Sequence, residues 1–261
     1  MMTLITGASR GIGRSLAFEF VSQGHDLILT ARNQRLLEEL ALQIKEKYPV
    51  EVTIIPLDLS ALKSPAALVK KIETLNIEVD CLVINAGIGY LGDFSSMDEK
   101  YLNEMIQLNM AALTKLTYYF VKKFIQKGRG KILQVASTAA FQPGPFMAMY
   151  YASKSYVVFF SRALAYELKG TGVTISILCP GPTQSDFFKK AGMENSFLAR
   201  GLIGVKSTEY VAKAAYRGLK QNKLFIIPGI INKMLAYSAK LVPDALSTRI
   251  TAFLHGKTKH T

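Results

Sequence analysis

Cysteine is scarce in this 261-residue sequence, which contains only Cys81 and Cys179. Two cysteines exclude a disulfide-stapled scaffold and are typical of a protein in a reducing compartment. Internal repeats, low-complexity tracts and linkers rich in proline, glycine or serine are absent as well. Because 49% of the residues are hydrophobic, disorder, collagen and coiled coil are also excluded. We therefore expect one folded domain spanning residues 1–261.

Long hydrophobic runs are also missing. A membrane-spanning helix needs ~18 uninterrupted apolar residues, and the nearest candidate, 224–242, contains Pro228, Lys233 and Lys240. The first apolar run, 2–5, begins almost at the initiator methionine and leaves no room for a signal or transit peptide. We therefore expect a cytoplasmic protein.

Acidic residues are few relative to basic ones: 19 Asp and Glu stand against 32 Lys and Arg, a formal net charge of +13. The excess is local, because residues 1–120 carry a net charge of −3 and residues 121–261 carry +16. Zinc-ligand spacing, a basic amphipathic arm and an aromatic RNA-binding signature are all lacking, so nucleic acid is not the expected partner. An anionic substrate or an anionic membrane surface remains.

Short β-branched, apolar segments alternate with longer amphipathic ones along the whole chain. The helical patterns are clearest at 35–48, 101–125 and 150–169. Near-continuous apolar strands alternating with helices are typical of a parallel sheet covered on both faces. We predict an α/β fold with a single Rossmann-like, doubly wound parallel sheet of about seven strands and helices on both faces. The predicted strands are 3–5, 26–30, 52–56, 81–85, 130–135, 173–179 and 224–227.

A glycine-rich turn directly follows the first predicted strand and opens a helical run. Glycines let the backbone approach a pyrophosphate closely, and the helix N-terminus offers unpaired N–H groups. An ordinary glycine-containing turn is the alternative, although the position between strand and helix favours a dinucleotide site. The candidate residues in this turn, after Thr6, are Gly7, Ser9, Arg10, Gly11, Ile12 and Gly13.

The end of the second predicted strand lacks the acidic residue that holds the ribose 2′-hydroxyl of NAD. The sequence there reads Leu29-Thr30-Ala31-Arg32. Arg32, together with Arg10, has the planar donors that pair with a 2′-phosphate. We therefore expect NADP(H) rather than NAD(H) as the cofactor; otherwise Arg32 is a solvated residue at the start of a helix.

A tyrosine and a lysine share one face of a predicted helix, because Tyr150 and Lys154 are four residues apart. A phenol with a pKa near ~10 exchanges protons poorly at neutral pH, and a nearby ammonium lowers that pKa. Ser137 lies at the end of a predicted strand, where its hydroxyl can bind a substrate carbonyl. These residues together are suited to general acid–base catalysis.

The order and spacing of these motifs resemble the classical short-chain dehydrogenase/reductase family over essentially the full length. The residues that carry the resemblance are the 6–13 turn, Asp58 and Leu59, Asn85, Ala86 and Gly87, Asn109, Ser137, Tyr150 with Lys154, and Pro180 with Gly181. The resemblance implies oxidoreductase activity with a nicotinamide cofactor, and a homodimer or homotetramer that pairs through the helices 101–125 and 150–169.

The resemblance also implies a role for each catalytic residue. Tyr150 is the acid and base, and Ser137 orients the carbonyl. Lys154 lowers the pKa of the tyrosine and holds the nicotinamide ribose, and Asn109 anchors a water chain leading to Lys154. Asp58 contacts the adenine, with Leu59 beside it.

Three further sites follow from the same resemblance. The turn Asn85-Ala86-Gly87 lines the cofactor, and so do Pro180 and Gly181. Thr183 stands where the family usually has an aliphatic residue, and Ser185 replaces the usual threonine while keeping a hydroxyl for the nicotinamide carboxamide. Tyr151 and Thr138 adjoin the catalytic positions, but their spacing indicates packing residues.

Two segments lie outside the motifs. The resemblance implies that the segment 186–207 is a substrate lid. Its phenylalanines among lysines and Arg200 indicate a hydrophobic substrate with an anionic group, or a lid that packs on its own domain. The basic, apolar extension 228–261 is expected to cap the pocket or to pack in an oligomer, with an anionic membrane as the alternative.

The histidines His25, His255 and His260 form no metal-ligand pattern with the cysteines, and both cysteines are expected to be inert core residues. We expect an NADP(H)-dependent enzyme that reduces a ketone or another carbonyl, such as a 3-oxoacyl or steroid-like substrate, or oxidises the secondary alcohol. A non-catalytic NADP(H)-binding sensor on the same fold is the alternative.

Overall fold

One parallel sheet organises the chain. The computed structural model describes residues 1–193, 196–197, 204–239 and 242–256. Seven strands form the sheet in the order β3-β2-β1-β4-β5-β6-β7. The strands are β1 (Met2–Thr6), β2 (Asp26–Thr30), β3 (Val52–Ile54), β4 (Cys81–Ile84), β5 (Gly130–Val135), β6 (Val173–Leu178) and β7 (Phe225–Ile226). The seven predicted strands are confirmed, although β3 and β7 are shorter than their apolar runs.

Helices cover both faces of this sheet. They are α1 (Gly11–Ser22), α2 (Gln34–Lys45), α3 (Ser64–Thr74), α4 (Glu99–Ile106), α5 (Leu113–Lys127), α6 (Ala148–Glu167), α7 (Phe187–Lys190), α8 (Thr208–Lys220), α9 (Ile230–Ser238) and α10 (Asp244–Leu254). Alternate strand residues face opposite sides. On β1, for example, Ile5 joins the core beneath α1, α2 and α8, and Leu4 joins the core beneath α3, α5 and α6. This is the predicted doubly wound α/β architecture.

The helix predicted at 101–125 is an unbroken run of helical turns, but not all of them are α-helical. Residues Gln107–Ala112 form a π-helical turn between α4 and α5. Such turns are rare overall, and those that occur are frequently found at functional sites. The turn contains the buried side chain of Asn109.

The two predicted outer segments are only partly described. In the segment 186–207, Arg200 lies outside the described residues, as do the lysines Lys240, Lys257 and Lys259 and the histidine His260 of the extension. The described part of the extension forms α9 and α10. Among the described residues, no helix is long and apolar enough to cross a membrane.

Candidate active site

The cleft lies at the carboxyl ends of the strands, where ligands bind in doubly wound sheets. Its cavity volume is about 590 Å³. The glycine turn after β1 and the loops after β2, β4, β5 and β6 line one part. The inner faces of α7, α9 and α10 line the other part. Nearly every site residue predicted from the sequence therefore borders one cavity; Gly13 and Asn109 lie just behind its wall.

Hydrogen bonds from the loop after β4 hold the glycine turn in place. The Asn85 amide nitrogen Nδ2 donates to the carbonyl oxygens of Thr6 and Gly7, each at 3.1 Å. The Thr6 hydroxyl accepts from the backbone N–H groups of Asn85 and Ala86. A Cβ on Gly13 would lie 2.2 Å from the Gly7 carbonyl oxygen, so only glycine fits there.

Helix α1 begins at Gly11 without a side-chain cap, because Arg10 at the N-cap position makes no such hydrogen bond. By contrast, Asn33 caps α2 and Ser207 caps α8. The first N–H groups of α1 thus lack a side-chain acceptor and face the cleft with the positive end of the helix dipole. The tight turn and this helix start fit the pyrophosphate of a dinucleotide.

Both arginines predicted to hold a 2′-phosphate are paired with carboxylates. Arg32 Nη1 lies 2.6 Å from Glu104 Oε1 and 3.9 Å from Asp58 Oδ2. Arg10 Nη1 lies 2.8 Å from Asp186 Oδ2 and holds the pKa of that carboxyl below its usual value by hydrogen bonding. These arginines are half exposed, and exposed ion pairs contribute only ~0.2–1 kcal/mol, so a phosphate can compete with them.

Lys154 reaches the cleft from inside the molecule. Its side chain is buried on α6, and its Nζ donates to the Val135 carbonyl oxygen at 3.0 Å. The same Nζ lies 5.7 Å from the centroid of the Tyr150 ring. Burial lowers the pKa of Lys154 to about 8. The helical four-residue step therefore brings the tyrosine and the lysine together as predicted.

Tyr150 does not have the lowered pKa expected from that neighbour. Burial raises the pKa of Tyr150 to about 12, and a hydrogen bond with the Ser137 hydroxyl acts in the opposite direction. The expectation of a low pKa was wrong for the protein by itself, because desolvation of the phenol outweighs the nearby groups. Ser137 is nevertheless close enough to bind the tyrosine, as its predicted position requires.

Asn109 joins the loop after β4 to the helix that carries Lys154, and its role toward a water chain stays a prediction. Its Oδ1 accepts from the Ile88 backbone N–H at 3.0 Å, and its Nδ2 donates to the Ile88 carbonyl oxygen at 2.9 Å. The same nitrogen donates to the Ser153 hydroxyl. A Cβ on Gly87 would lie 3.2 Å from Asn109 Oδ1 and 3.4 Å from Lys154 Nζ, so the asparagine and the lysine border the same glycine. The Asn109 side chain thus fastens the loop after β4 to α6.

The remaining predicted cofactor residues lie in two loops. In the loop after β3, Asp58 accepts from the Ser60 backbone and hydroxyl, and Leu59 is buried. In the loop after β6, the Thr183 hydroxyl donates to the Gly181 carbonyl oxygen at 2.9 Å. Ser185 keeps its hydroxyl in the cavity lining, 3.4 Å from the Phe187 N–H. Both loops reach the cleft, with Ser9, Ile12 and Pro180 in its wall.

Thr138 and Tyr151, the neighbours of Ser137 and Tyr150, make their hydrogen bonds with other parts of the chain. The Thr138 backbone N–H donates to the Pro180 carbonyl oxygen at 2.9 Å. The Tyr151 hydroxyl lies 3.0 Å from His255 Nε2, and His255 Nδ1 lies 2.7 Å from the Pro145 carbonyl oxygen. Because a carbonyl only accepts, Nδ1 carries the proton and Tyr151 donates to Nε2. Sequence reasoning missed His255, which links α10 to the helix of Tyr150.

The substrate side of the cavity is apolar. The Tyr150 ring lies 5.2 Å from the Phe187 ring, and Tyr151, Met147 and Met193 form a buried cluster beside it. Leu235 of α9 and Leu254 of α10 close the chamber. The described part of the extension therefore caps the pocket, which is one of the roles expected for it.

The described residues contain no cluster of three histidine, cysteine or acidic side chains that could hold a metal. Cys81 and Cys179 are free and buried, and burial raises the pKa of both thiols to about 12. Thiols with such pKa values are protonated at neutral pH and are poor nucleophiles.

Known proteins share this arrangement. The 7beta-hydroxysteroid dehydrogenase of Clostridium sardiniense is 31% identical over 180 residues, which are 69% of this chain and 68% of the relative. The very-long-chain 3-oxoacyl-CoA reductase-B of Danio rerio is 31% identical over 183 residues, 68% of this chain but only 58% of the relative. A solved short-chain dehydrogenase from Sphingobium yanoikuyae in complex with NADPH matches with a TM-score of 0.81 and 31% identity, covering 88% of each chain.

A family model of short chain dehydrogenases matches residues 1–196, from the first strand to a point just beyond α7. That range contains the glycine turn, the tyrosine and the lysine, but not α9 and α10, which line the other part of the cavity. The chain belongs to the short-chain dehydrogenase/reductase family, oxidoreductases that bind a nicotinamide cofactor and act on small molecules.

Proposed function

We propose that this protein is an NADP(H)-dependent oxidoreductase that reduces a ketone on a hydrophobic molecule to a secondary alcohol, or catalyses the reverse reaction. The observation that carries the proposal is the position of Tyr150. The phenol adjoins Ser137 and Lys154 at the meeting point of the glycine-turn cleft and the apolar chamber. A bound nicotinamide there supplies or accepts the hydride.

Tyr150 exchanges a proton with the substrate oxygen, and Ser137 holds that oxygen in place by a hydrogen bond. Lys154 stabilises the phenolate with its positive charge and binds the nicotinamide ribose. The protonated Lys154 ammonium, 5.7 Å from the centroid of the ring, lowers the free energy of the phenolate relative to the phenol and so offsets part of the effect of burial. Asn109 positions Lys154 by fixing the loop at Gly87 and the hydroxyl of Ser153 on the lysine's helix.

Three features support NADP(H) over NAD(H). The end of β2 carries no carboxylate, Arg32 stands in its place, and Arg10 lies at the start of α1. The NADPH-bound relative from Sphingobium yanoikuyae has a similar fold. In this proposal Arg32 and Arg10 would hold the 2′-phosphate in place of their ion pairs with Glu104 and Asp186.

The chamber supports a bulky apolar substrate of the 3-oxoacyl or steroid type. Its wall contains Phe187, Phe188 and Leu254, and the relatives named above include a hydroxysteroid dehydrogenase and a 3-oxoacyl-CoA reductase. Lys190 also borders the cavity, where its ammonium can bind an anionic group of such a substrate.

The assembly that we propose is a homodimer or homotetramer of single-domain chains. Large apolar side chains are exposed on α5 and α6, the helices expected to pair: Tyr118, Ile125, Phe159 and Tyr166. Burying them between two copies would remove apolar surface from water. The two free, buried cysteines are consistent with a cytoplasmic location.

Fluorescence titration with NADPH and NADH, followed by turnover of a panel of carbonyl compounds, tests this proposal. We expect tighter binding of NADPH and faster turnover of long-chain 3-oxoacyl thioesters or ketosteroids than of small neutral ketones. NADPH binding without turnover of any carbonyl would favour the sensor. Equal rates for thioesters and small ketones would contradict the hypothesis that the substrate carries an anionic group.

A further inference from the structure

The two C-terminal helices carry polar side chains on their buried faces and apolar side chains on their exposed faces. Their inward positions carry polar side chains: Asn232 of α9 and Ser247 and Thr251 of α10 are at most 6% exposed. Their outward positions carry large apolar side chains, with Ile230 79%, Met234 67% and Phe253 54% exposed. A helix that faces water normally has the opposite pattern.

Contacts with other parts of the chain fix this orientation, and local hydrogen bonds satisfy the inward polar groups. Asn232 Nδ2 donates to the Pro228 carbonyl oxygen at 2.9 Å, and a Cβ on Gly181 would lie 2.4 Å from Asn232 Oδ1. On α10 the Thr251 hydroxyl donates to the Ser247 carbonyl oxygen, and His255, just beyond the helix, binds Tyr151. The inward polar groups are therefore satisfied where they are. Rotating α9 to hide its apolar face would separate Asn232 from Gly181, and rotating α10 would move His255 away from Tyr151.

The outward face combines apolar area with positive charge. On α9 it includes Ile230, Ile231, Met234 and Tyr237 around Lys233, and on α10 it includes Leu246, Ile250 and Phe253 around Arg249. We call these residues the outer face. Over residues 228–261 the sequence has five lysines and arginines and one acid, Asp244. On each helix the exposed apolar residues recur at helical spacing beside a basic residue, a pattern typical of helices that lie on anionic bilayers.

We propose that the outer face docks on the surface of an anionic lipid bilayer. The apolar side chains enter the boundary between headgroups and acyl chains, and Lys233 and Arg249 contact the acidic headgroups. A second copy of this chain fits less well, because joining two outer faces brings cations against cations with one acid from each copy.

The same helices connect this surface to the chamber. Leu235 and Ile250 line the cavity and are also 45% and 48% exposed. An apolar molecule dissolved in the bilayer would meet the mouth of the chamber at the docking surface. This last point rests on the proposed function, whereas docking itself does not.

Flotation of the full-length protein with vesicles tests docking without any substrate. The probes are vesicles of phosphatidylcholine alone and vesicles that also contain phosphatidylglycerol. The variant Ile231→Glu/Met234→Glu changes two outer-face residues that do not line the cavity. Leu42→Glu/Leu62→Glu is the matched control, because both leucines are exposed and neither belongs to the C-terminal helices or lines the cavity. Circular dichroism and NADPH titration establish that each variant is folded.

We expect wild type and the control to float with phosphatidylglycerol vesicles, and the outer-face variant to bind at least tenfold more weakly. Lys233→Gln/Arg249→Gln should weaken binding about fivefold per cation removed and reduce its salt dependence. Equal flotation of wild type and the outer-face variant would overturn the proposal. So would equal binding to uncharged vesicles, or a dimer in sedimentation that the same variant dissociates without any vesicle binding.

Discussion

Replacing Glu104 with glutamine should improve the binding of NADPH. Arg32 Nη1 lies 2.6 Å from Glu104 Oε1, and in the proposed complex the same guanidinium binds the 2′-phosphate. The Arg32 side chain is 55% exposed and that of Glu104 is 23% exposed, so the ion pair contributes ~0.2–1 kcal/mol. Since 1.4 kcal/mol is a factor of ten, removing the competitor lowers the Kd for NADPH by up to about fivefold.

Arg32→Ala should have the opposite effect. A hydrogen bond to a charged group contributes ~1.5–3 kcal/mol, so the Kd for NADPH should rise roughly 10- to 150-fold. NADH lacks the 2′-phosphate, and its Kd should change less than about twofold in either variant. Glu39→Gln is the matched control, because Glu39 pairs with Arg35 on α2 and does not border the cavity.

Fluorescence titration of both cofactors with the four proteins measures these effects. The preference for NADPH should also weaken as ionic strength rises, because exposed charges are screened. Two results would refute the reasoning: equal losses of NADPH and NADH binding in Arg32→Ala, or weaker NADPH binding in Glu104→Gln.

Three other substitutions test separate parts of the structure. His255→Phe removes the acceptor of the Tyr151 hydroxyl and the donor to Pro145, so the free energy of unfolding measured in urea should fall by ~1–3 kcal/mol; a change below about 0.5 kcal/mol would contradict the role of this contact. Gly13→Ala places a Cβ 2.2 Å from the Gly7 carbonyl oxygen, so NADPH binding should weaken at least tenfold in a calorimetric titration; unchanged affinity would mean that the turn has room to move. Lys154 binds its proton less tightly in the folded protein, where its pKa is about 8, than in the unfolded chain. Between about pH 8 and pH 10 the unfolded chain therefore holds more protons, and the free energy of unfolding rises with pH. Wild type should therefore gain stability relative to Lys154→Met over that range by ~2–3 kcal/mol in urea titrations, and parallel pH profiles would disprove the lowered pKa.

Sequence patterns predicted the sheet well because its strands are buried on both faces. Each strand is a short apolar run, and the order of β-then-α units leaves few topologies. The ends of β3 and β7 were less predictable, since pairing with a neighbour, and not the apolar run, decides where a strand ends. The π-helical turn at Asn109 gives no sign in the helical periodicity of 101–125.

The site was predictable wherever function requires local spacing. The glycine turn and the Tyr150–Lys154 step each lie within eight residues, so the sequence alone indicates their geometry. The contacts of Arg32 with Glu104 and of Tyr151 with His255 join residues 72 and 104 positions apart, and no local pattern indicates such pairs. The pKa of Tyr150 also depends on burial, which spacing does not reveal.

The central claim is that Tyr150, and not its neighbour Tyr151, exchanges the proton with the substrate. The direct test is kcat/KM for NADPH-dependent ketone reduction by Tyr150→Phe and by Tyr151→Phe, with the Kd for NADPH measured for both. General acid–base catalysis contributes roughly 10²- to 10⁴-fold, so Tyr150→Phe should lose that much activity while still binding NADPH. Tyr151→Phe should stay within about tenfold of wild type, because its hydroxyl binds His255. Full activity in Tyr150→Phe, or a larger loss in Tyr151→Phe, would contradict the assignment.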